Sequence, residues 1–309
     1  MDGWVLLDKP EGISSASALN RVKRALGVRK AGHAGTLDPA ASGLLLIALG
    51  EACKLLQMLD FSTKSYNFEL HWGVATTTED GEGETIATSD IRPNAQAAQE
   101  GLEHFIGEYP QSPPAFSALK VDGKRAYTRA RAGDITRLAP RMVEVHSAEL
   151  HQHSSAISQI SVCFGKGGYV RAFGRDLAEH LGTVGHVQHI RRMKIGHLSV
   201  KAAIPLASFD RMTDNAPQDE AGRVLALESV LDGIPALDLT YVAVQRLSLG
   251  QRCTLDAEFC LSAIISDTVQ LYLLRHQGRI FALGRIEDGC IRPKRLINTA
   301  ISSILGESK

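Results

Sequence analysis

The chain has 309 residues, 44% apolar and 22% charged, which suits a packed globular protein with one large and one small domain and excludes a disordered or fibrous chain. Its 34 Lys and Arg balance 34 Asp and Glu, so a uniformly basic nucleic-acid binder is excluded and any such role must rest on segregated charge. Five cysteines without a CxxC pair argue against a disulfide framework or zinc site, and no apolar run approaches membrane-spanning length, so a soluble, unexported, cytoplasmic protein is expected.

Leu6-Leu7-Asp8-Lys9-Pro10-Glu11-Gly12 predicts a short strand running into a turn. Ser14 or Ser15 then caps a helix with Leu19, Val22 and Leu26 inward and Gly27 at its end. Arg21, Lys23, Arg24, Arg29 and Lys30 follow one another without an acid between them. Next comes Gly32-His33-Ala34-Gly35-Thr36-Leu37-Asp38-Pro39. Pro39 biases Asp38 towards extended backbone, while Gly32 and Gly35 leave room for a close approach, so a carboxylate is held on an open loop. On the local pattern alone, a plain Asp-Pro turn is the better fit. The run Leu44 to Leu49, ended by Gly50, predicts a strand buried on both faces, and Leu55, Leu56 and Leu59 predict a helical stripe behind it.

Residues 64 to 73 alternate, with Tyr66, Phe68, Leu70 and Trp72 on one side, as in a half-buried strand. By that pattern alone Tyr66 is a core residue. Gly73 to Ser89 reads as an acidic loop, and Asn94 caps a helix with Ala98, Leu102, Phe105 and Ile106 inward. Tyr109 to Pro114 breaks regular structure. Residues 79 to 108 carry eight acids against Arg92, whereas 120 to 141 carry seven Lys and Arg against Asp122 and Asp134. A basic face and an acidic back are expected, although solvated helix faces would give similar blocks. Lys120, Lys124, Arg125, Arg129 and Arg131 suit phosphate contacts.

Ile160, Val162 and Phe164 predict a strand ending at Gly165-Lys166-Gly167-Gly168, whose spacing is not that of a P-loop. Tyr169-Val170-Arg171 opens a helix with Phe173, Leu177, Ala178 and Leu181 inward and Gly182 as its stop. A basic run, Arg191-Arg192-Met193-Lys194, follows. Eleven histidines give neither HxxxH nor HExxH, so no metal site is expected. Residues 208 to 237 read as an acidic connector. Beyond it, Val269 to Leu274, Gln277-Gly278, Ile280 to Leu283 and Asp288-Gly289 predict a small β-rich domain.

The run GHAGTLDP with the Leu-rich strand after it resembles the active-site motif of the pseudouridine synthases, specifically the bacterial tRNA pseudouridine synthase B family, which modifies uridine 55 in the T loop of tRNA. That family usually has threonine where Ala34 stands. DKPEGISS, the block from Phe116 to Tyr127, and KGGYVR also resemble family motifs, the last with Gly168 in place of a threonine. The family often has an aspartate where Thr77 stands, which leaves that position without an assigned role.

The resemblance implies an α+β fold. Residues 1–237 would form the catalytic domain, a mixed and largely antiparallel sheet flanked by helices, and 238–309 a small PUA-like RNA-binding domain. It implies Asp38 as nucleophile, Arg171 at its side, and Tyr66 stacked on the target base and helping to move the C5 proton. His33 would enter the vacated stack and Tyr169 would line the pocket. Lys9, chiefly a support for the site wall, joins Lys120 and Arg191 in the substrate-binding set. The partner is the T arm of tRNA, and a monomer with no cofactor is expected, because isomerisation involves no redox change and no added atom. Three rivals stay open: a non-catalytic RNA-binding or RNA-folding module, a nucleoside hydrolase or glycosylase, and the same chemistry on ribosomal or guided RNA.

Overall fold

The computed structural model describes residues 1–59, 61, 63–117, 120–121, 124–125, 138–210, 223–231, 233–256, 259–263 and 271–306, with backbone alone at 120–121, 124–125 and 261–263. The strands of the first part are β1 (Gly3–Lys9), β2 (Ala31–Ala34), β3 (Ser42–Leu49), β4 (Lys64–Trp72), β5 (Val74–Thr76), β6 (Thr85–Thr88), β7 (Gly107–Gln111), β8 (Lys120–Val121), β9 (Lys124–Arg125), β10 (Arg141–His153), β11 (Ile157–Phe164), β12 (Gly185–Ile195), β13 (Leu198–Ser199) and β14 (Ile204–Pro205). The helices are α1 (Ser15–Ala25), α2 (Ala95–His104), α3 (Val170–His180) and the short α4 (Ala207–Asp210).

Among the described residues, ten strands form one sheet in the order β14-β1-β3-β12-β4-β11-β10-β7, with β2 on β3 and β13 on β12; β5 with β6 and β8 with β9 are separate hairpins. Only β1–β14 and β12–β3 are parallel, so the sheet is mixed and largely antiparallel. The continuous apolar run of β3 follows from its central place. Leu45, Ile47 and Leu49 face α1, and Leu44, Leu46 and Ala48 face a second cluster shared with the C-terminal part of the chain. Where β3 meets β12, Gly43, at φ +99°, lies directly against the backbone of Arg192 and leaves no room for a side chain.

Three local expectations give way to tertiary context. The predicted helix after β3 is a 3-10 turn, Gly50–Lys54, held at its start by Glu51 N donating to the Asp2 carboxylate at 2.8 Å. Tyr109–Gln111 is not a break but part of β7, and Pro110 is tolerated there because β7 is the edge strand beside β10. Ile106 is exposed rather than inward, since α2 ends at His104 and the chain turns at Gly107.

The second sheet has the order β16-β20-β19-β18-β15-β17, from β15 (Ala236–Leu239), β16 (Cys253–Thr254), β17 (Cys260–Ala263), β18 (Tyr272–His276), β19 (Arg279–Glu287) and β20 (Cys290–Leu296). Helices α5 (Tyr241–Ser248) and α6 (Asn298–Leu305) accompany it, as a PUA-like domain would have them. Gln277-Gly278 and Asp288-Gly289, all at positive φ, make the two predicted hairpin turns. The chain changes sheet ahead of Ala236, so residue 237 lies inside β15. Leu237, Leu239 and Phe281 share one apolar cluster with Trp4, Leu6 and Leu46. Polar ties join the two parts: Asn298 N donates to Glu51 Oε2 at 2.7 Å, and Lys54 Nζ to Leu296 O at 3.1 Å.

Candidate active site

The loop between β2 and β3 carries Asp38, and three elements grip it at alternate residues. Arg192 Nη2, from β12, donates to Gly35 O at 3.0 Å. Ser15 Oγ, from the first turn of α1, accepts from Leu37 N and donates to Leu37 O, both at 2.8 Å. Gly12 N and Lys9 Nζ donate to Pro39 O at 2.9 and 3.3 Å. Gly35 suits its φ of +69°, which would strain any other residue, and a Cβ there would also crowd Lys64 Cε at 3.2 Å and Arg192 Nη1 at 3.3 Å. A carboxylate on so constrained a segment is pre-positioned rather than merely exposed.

Arg171, near the start of α3, reaches the Asp38 carboxylate with Nη2 at 2.8 Å from Oδ2. It also donates to Thr78 O at 2.9 Å and Phe116 O at 2.8 Å, and its Nε lies 3.7 Å from Asp80 Oδ2. One helical turn on, Arg175 repeats the arrangement with Glu79, Asp176 and Ser112 O. The two guanidiniums therefore bridge the 78–80 loop and the 112–116 segment. Glu79 and Asp80 belong to the block expected to form an acidic back, yet they are turned inward to these arginines. Burial pushes the Glu79 carboxyl up, with the Arg175 charge opposing it.

Asp38 opens onto a cavity of about 300 Å³, at the lower end of ligand-site volumes, lined by Tyr66, Ser117, Tyr169, Arg171 and Arg192 among others. Tyr66 is held on β4, where it packs on Phe164 at 6.3 Å between ring centroids and stands opposite Arg192 in the β12–β4 register. Tyr169 is fixed from both sides by Gln111, whose Oε1 accepts from Tyr169 N at 2.8 Å and whose Nε2 donates to Tyr169 O at 3.2 Å. Burial, and then the Asp38 charge, raise the Tyr169 phenol above its ordinary range.

The cavity thus brings together Asp38, Tyr66, Tyr169 and Arg171. Lys9 lies behind the Asp38 loop, fully buried, and also donates to the carbonyls of Pro10 and Ile13 at 2.8 Å. Burial pushes its ammonium down to about 8, with Asp38 and Glu11 opposing. His33 sits in β2, outside the cavity lining, and its Nδ1 has no hydrogen-bond partner among the described residues. Burial and then the Arg192 charge hold its pKa below the usual histidine range. Arg191 turns away from the cavity and makes a two-pronged bond to Asp8, at 3.0 and 2.7 Å, tying β12 to β1. The side chains of Lys120, Lys124 and Arg125, and all of Arg129 and Arg131, lie outside the described residues.

Three residues that the sequence reading passed over are central: Ser15, Asp80 and Arg192. Arg192 could have been found from strand phase, since it follows the inward Ile190 at a spacing of two. Its guanidinium is fully buried, donates to Leu44 O at 2.7 Å, and stands opposite Tyr66 in the β12–β4 register.

Comparison with known proteins identifies the family. The family model described as TruB family pseudouridylate synthase (N terminal domain) matches residues 23–170. The tRNA pseudouridine synthase B of Rhodospirillum rubrum is 41% identical over 301 residues, covering 96% of each chain. That of Caulobacter vibrioides is 45% identical over 257 residues, 82% of each. A solved H/ACA RNP bound to a substrate RNA containing 2'-deoxyuridine superposes with a TM-score of 0.72 at 20% identity, covering 95% of this chain and 84% of that one, and shares the fold. With relatives at this identity along nearly its whole length, the chain belongs to the tRNA pseudouridine synthase B family of enzymes.

Proposed function

We propose that the protein converts uridine 55 in the T loop of tRNA to pseudouridine, acting as a cytoplasmic monomer, with Asp38 as the nucleophile. The observation that carries this reading is the Asp38–Arg171 pair at the mouth of a cavity walled by Tyr66 and Tyr169. A uridine in a folded tRNA elbow hides its glycosidic bond, so the nucleotide must swing out, at a cost of a few kcal/mol. Stacking on the Tyr66 ring, about 1–3 kcal/mol for a base on an aromatic side chain, offsets much of that cost. His33, kept uncharged by burial, enters the vacated stack.

Inside the cavity the N1–C1′ bond breaks, the uracil turns, and C5 joins C1′. Asp38 assists the cleavage at the ribose, either by bonding to C1′ or by removing a neighbouring proton. Arg171 fixes the carboxylate that does this, and its anchorage to Thr78 O and Phe116 O keeps that geometry when RNA binds. The Tyr66 hydroxyl helps to carry away the C5 proton. Lys23, Arg24, Arg29 and Lys30, with the cations of residues 120–131, contact phosphates and set the register of the RNA without reading its sequence.

The test is to incubate the purified protein with unmodified tRNA and map the product by carbodiimide labelling, which after alkaline treatment stays on pseudouridine but not on uridine, followed by primer extension. Pseudouridine at position 55 is the expected result. Free uracil would favour a hydrolase, unchanged but bound tRNA a binding module, and modification of ribosomal RNA in place of tRNA a different substrate.

A further inference from the structure

Arg192 presents an imbalance that the site as described does not use. Its guanidinium is fully buried, and its hydrogen-bond partners among the described residues are both uncharged backbone carbonyls, Leu44 O and Gly35 O. Arg171, the other guanidinium of the cavity wall, is shared between Asp38 and Asp80. A buried cation without an acid is costly and persists where the surroundings over-determine it or a function uses it.

Resting on the proposed reading of the site, the charge flow of the reaction says what that use is. When N1–C1′ breaks, its electron pair stays on N1, and the uracil ring holds a negative charge shared with O2 and O4. Asp38 gives up its own charge as it bonds to C1′ or takes up a ribose proton. The charge returns to Asp38 when C5 bonds to C1′, or its proton goes back to the ribose; C5 then loses its proton and N1 gains one. During cleavage, therefore, one negative charge moves from beside Arg171 to the ring stacked on Tyr66. Arg192 is the cross-strand neighbour of Tyr66 and lines the same cavity. We propose that Arg192 is the electrostatic counterpart of the departing uracil, its unpaired guanidinium supplying the fixed positive field in which the detached base carries its charge. Being held by strand backbone, the field needs no reorganisation at the moment of cleavage.

The role predicts a dependence on the leaving group that a purely structural arginine would not give. Fluorine at C5 makes the departing ring a weaker base, so its anion depends less on outside stabilisation. The experiment compares single-turnover loss of the N-linked nucleoside in two tRNAs, one with uridine and one with 5-fluorouridine at the target, for wild type, Arg192→Gln and Arg192→Lys. Arg192→Gln should lose about 100-fold on uridine, the scale of one oxyanion-type donor, and distinctly less on 5-fluorouridine. Arg192→Lys, which keeps a displaced charge, should lose less than the glutamine variant, again with the larger loss on uridine. If Arg192→Gln fails to fold, the lysine variant decides by the same ratio. Equal losses on both RNAs in whichever variant folds, or lost tRNA affinity with an unchanged single-turnover rate, would overturn the assignment. Absence of wild-type conversion of the uridine tRNA would instead refute the underlying reading of the site.

Discussion

Replacing Arg171 with lysine separates the charge of the site from its geometry. The guanidinium joins four groups from three segments: Asp38 Oδ2 at 2.8 Å, Asp80 Oδ2 at 3.7 Å, Phe116 O at 2.8 Å and Thr78 O at 2.9 Å. An ammonium can follow one of these directions but cannot span them. If it stays with Asp38, both carbonyls lose their donor and Asp80, almost fully buried, keeps its charge with no close cation. Hydrogen bonds from a charged donor contribute about 1.5–3 kcal/mol each, so two losses with partial recovery come to about 3 kcal/mol. The Asp38 contact adds little to that figure, because its carboxylate is 44% exposed and water can replace the partner. Activity should suffer more than affinity. A carboxylate displaced by roughly 1 Å costs about 100-fold in rate, whereas phosphate contacts carry most of the binding. Urea unfolding, single-turnover pseudouridine formation and filter binding of tRNA measure the three effects. The Lys variant should show a lower midpoint at unchanged slope, a kcat down by about two orders of magnitude, and a Kd within a few-fold of wild type. A Lys variant with full kcat would refute the claim that the fork of Arg171 fixes Asp38.

Ser15→Ala removes both bonds to Leu37 and strands two buried backbone groups, so stability should fall by about 2 kcal/mol and kcat more than KM, as read by urea unfolding and steady-state kinetics. Gly43→Ala forces a side chain into the Arg192 backbone at a positive φ and should destabilise by about 3 kcal/mol or more, or prevent accumulation of soluble protein. The Lys9 ammonium is pushed down to about 8 when folded and has its ordinary value of 10.5 when unfolded, so the unfolded chain binds more protons between these values. Its contribution to stability is therefore largest above pH 10.5, falls as the pH drops to 8, and stays low below that. Unfolding of wild type and Lys9→Met at pH 7.5 and 9.5 should give a difference that shifts in favour of wild type at the higher pH; a difference independent of pH would contradict the depressed value.

Much of this arrangement is written in local pattern, and the remainder depends on which strands pair. The apolar run from Leu44 to Leu49 suits a strand covered on both faces, and the Asp-Pro junction with its glycines suits a loop or turn beside it. Alternation places Tyr66 inward and the helix start at Tyr169-Val170-Arg171 places Arg171, but by pattern alone Tyr66 reads as core, and the site roles of both come from the family resemblance. The basic run of β12 hides its inward member: composition does not distinguish Arg191 from Arg192, whereas strand phase counted from the inward Ile190 selects Arg192. Arg191 faces Asp8, and Arg192 faces the cavity. Ser15 looks like a second choice of helix cap next to Ser14, because its bonds to Leu37 close only when α1 packs against the loop. Asp80 is hidden within an acidic loop whose net charge suggests a solvated surface, until α3 brings two arginines against it. The missing helix after β3 has a similar cause, since Asp2 and the C-terminal part of the chain hold that segment as a 3-10 turn.

The most direct measurement of the central claim is tritium release from tRNA labelled at uridine C5, compared between wild type and Asp38→Asn. Asparagine is nearly isosteric and can keep a contact to Arg171, but it cannot act as the nucleophile. The account predicts steady release by wild type and none by the variant, with tRNA bound within a few-fold as tightly. Release by Asp38→Asn at a rate near that of wild type would contradict it.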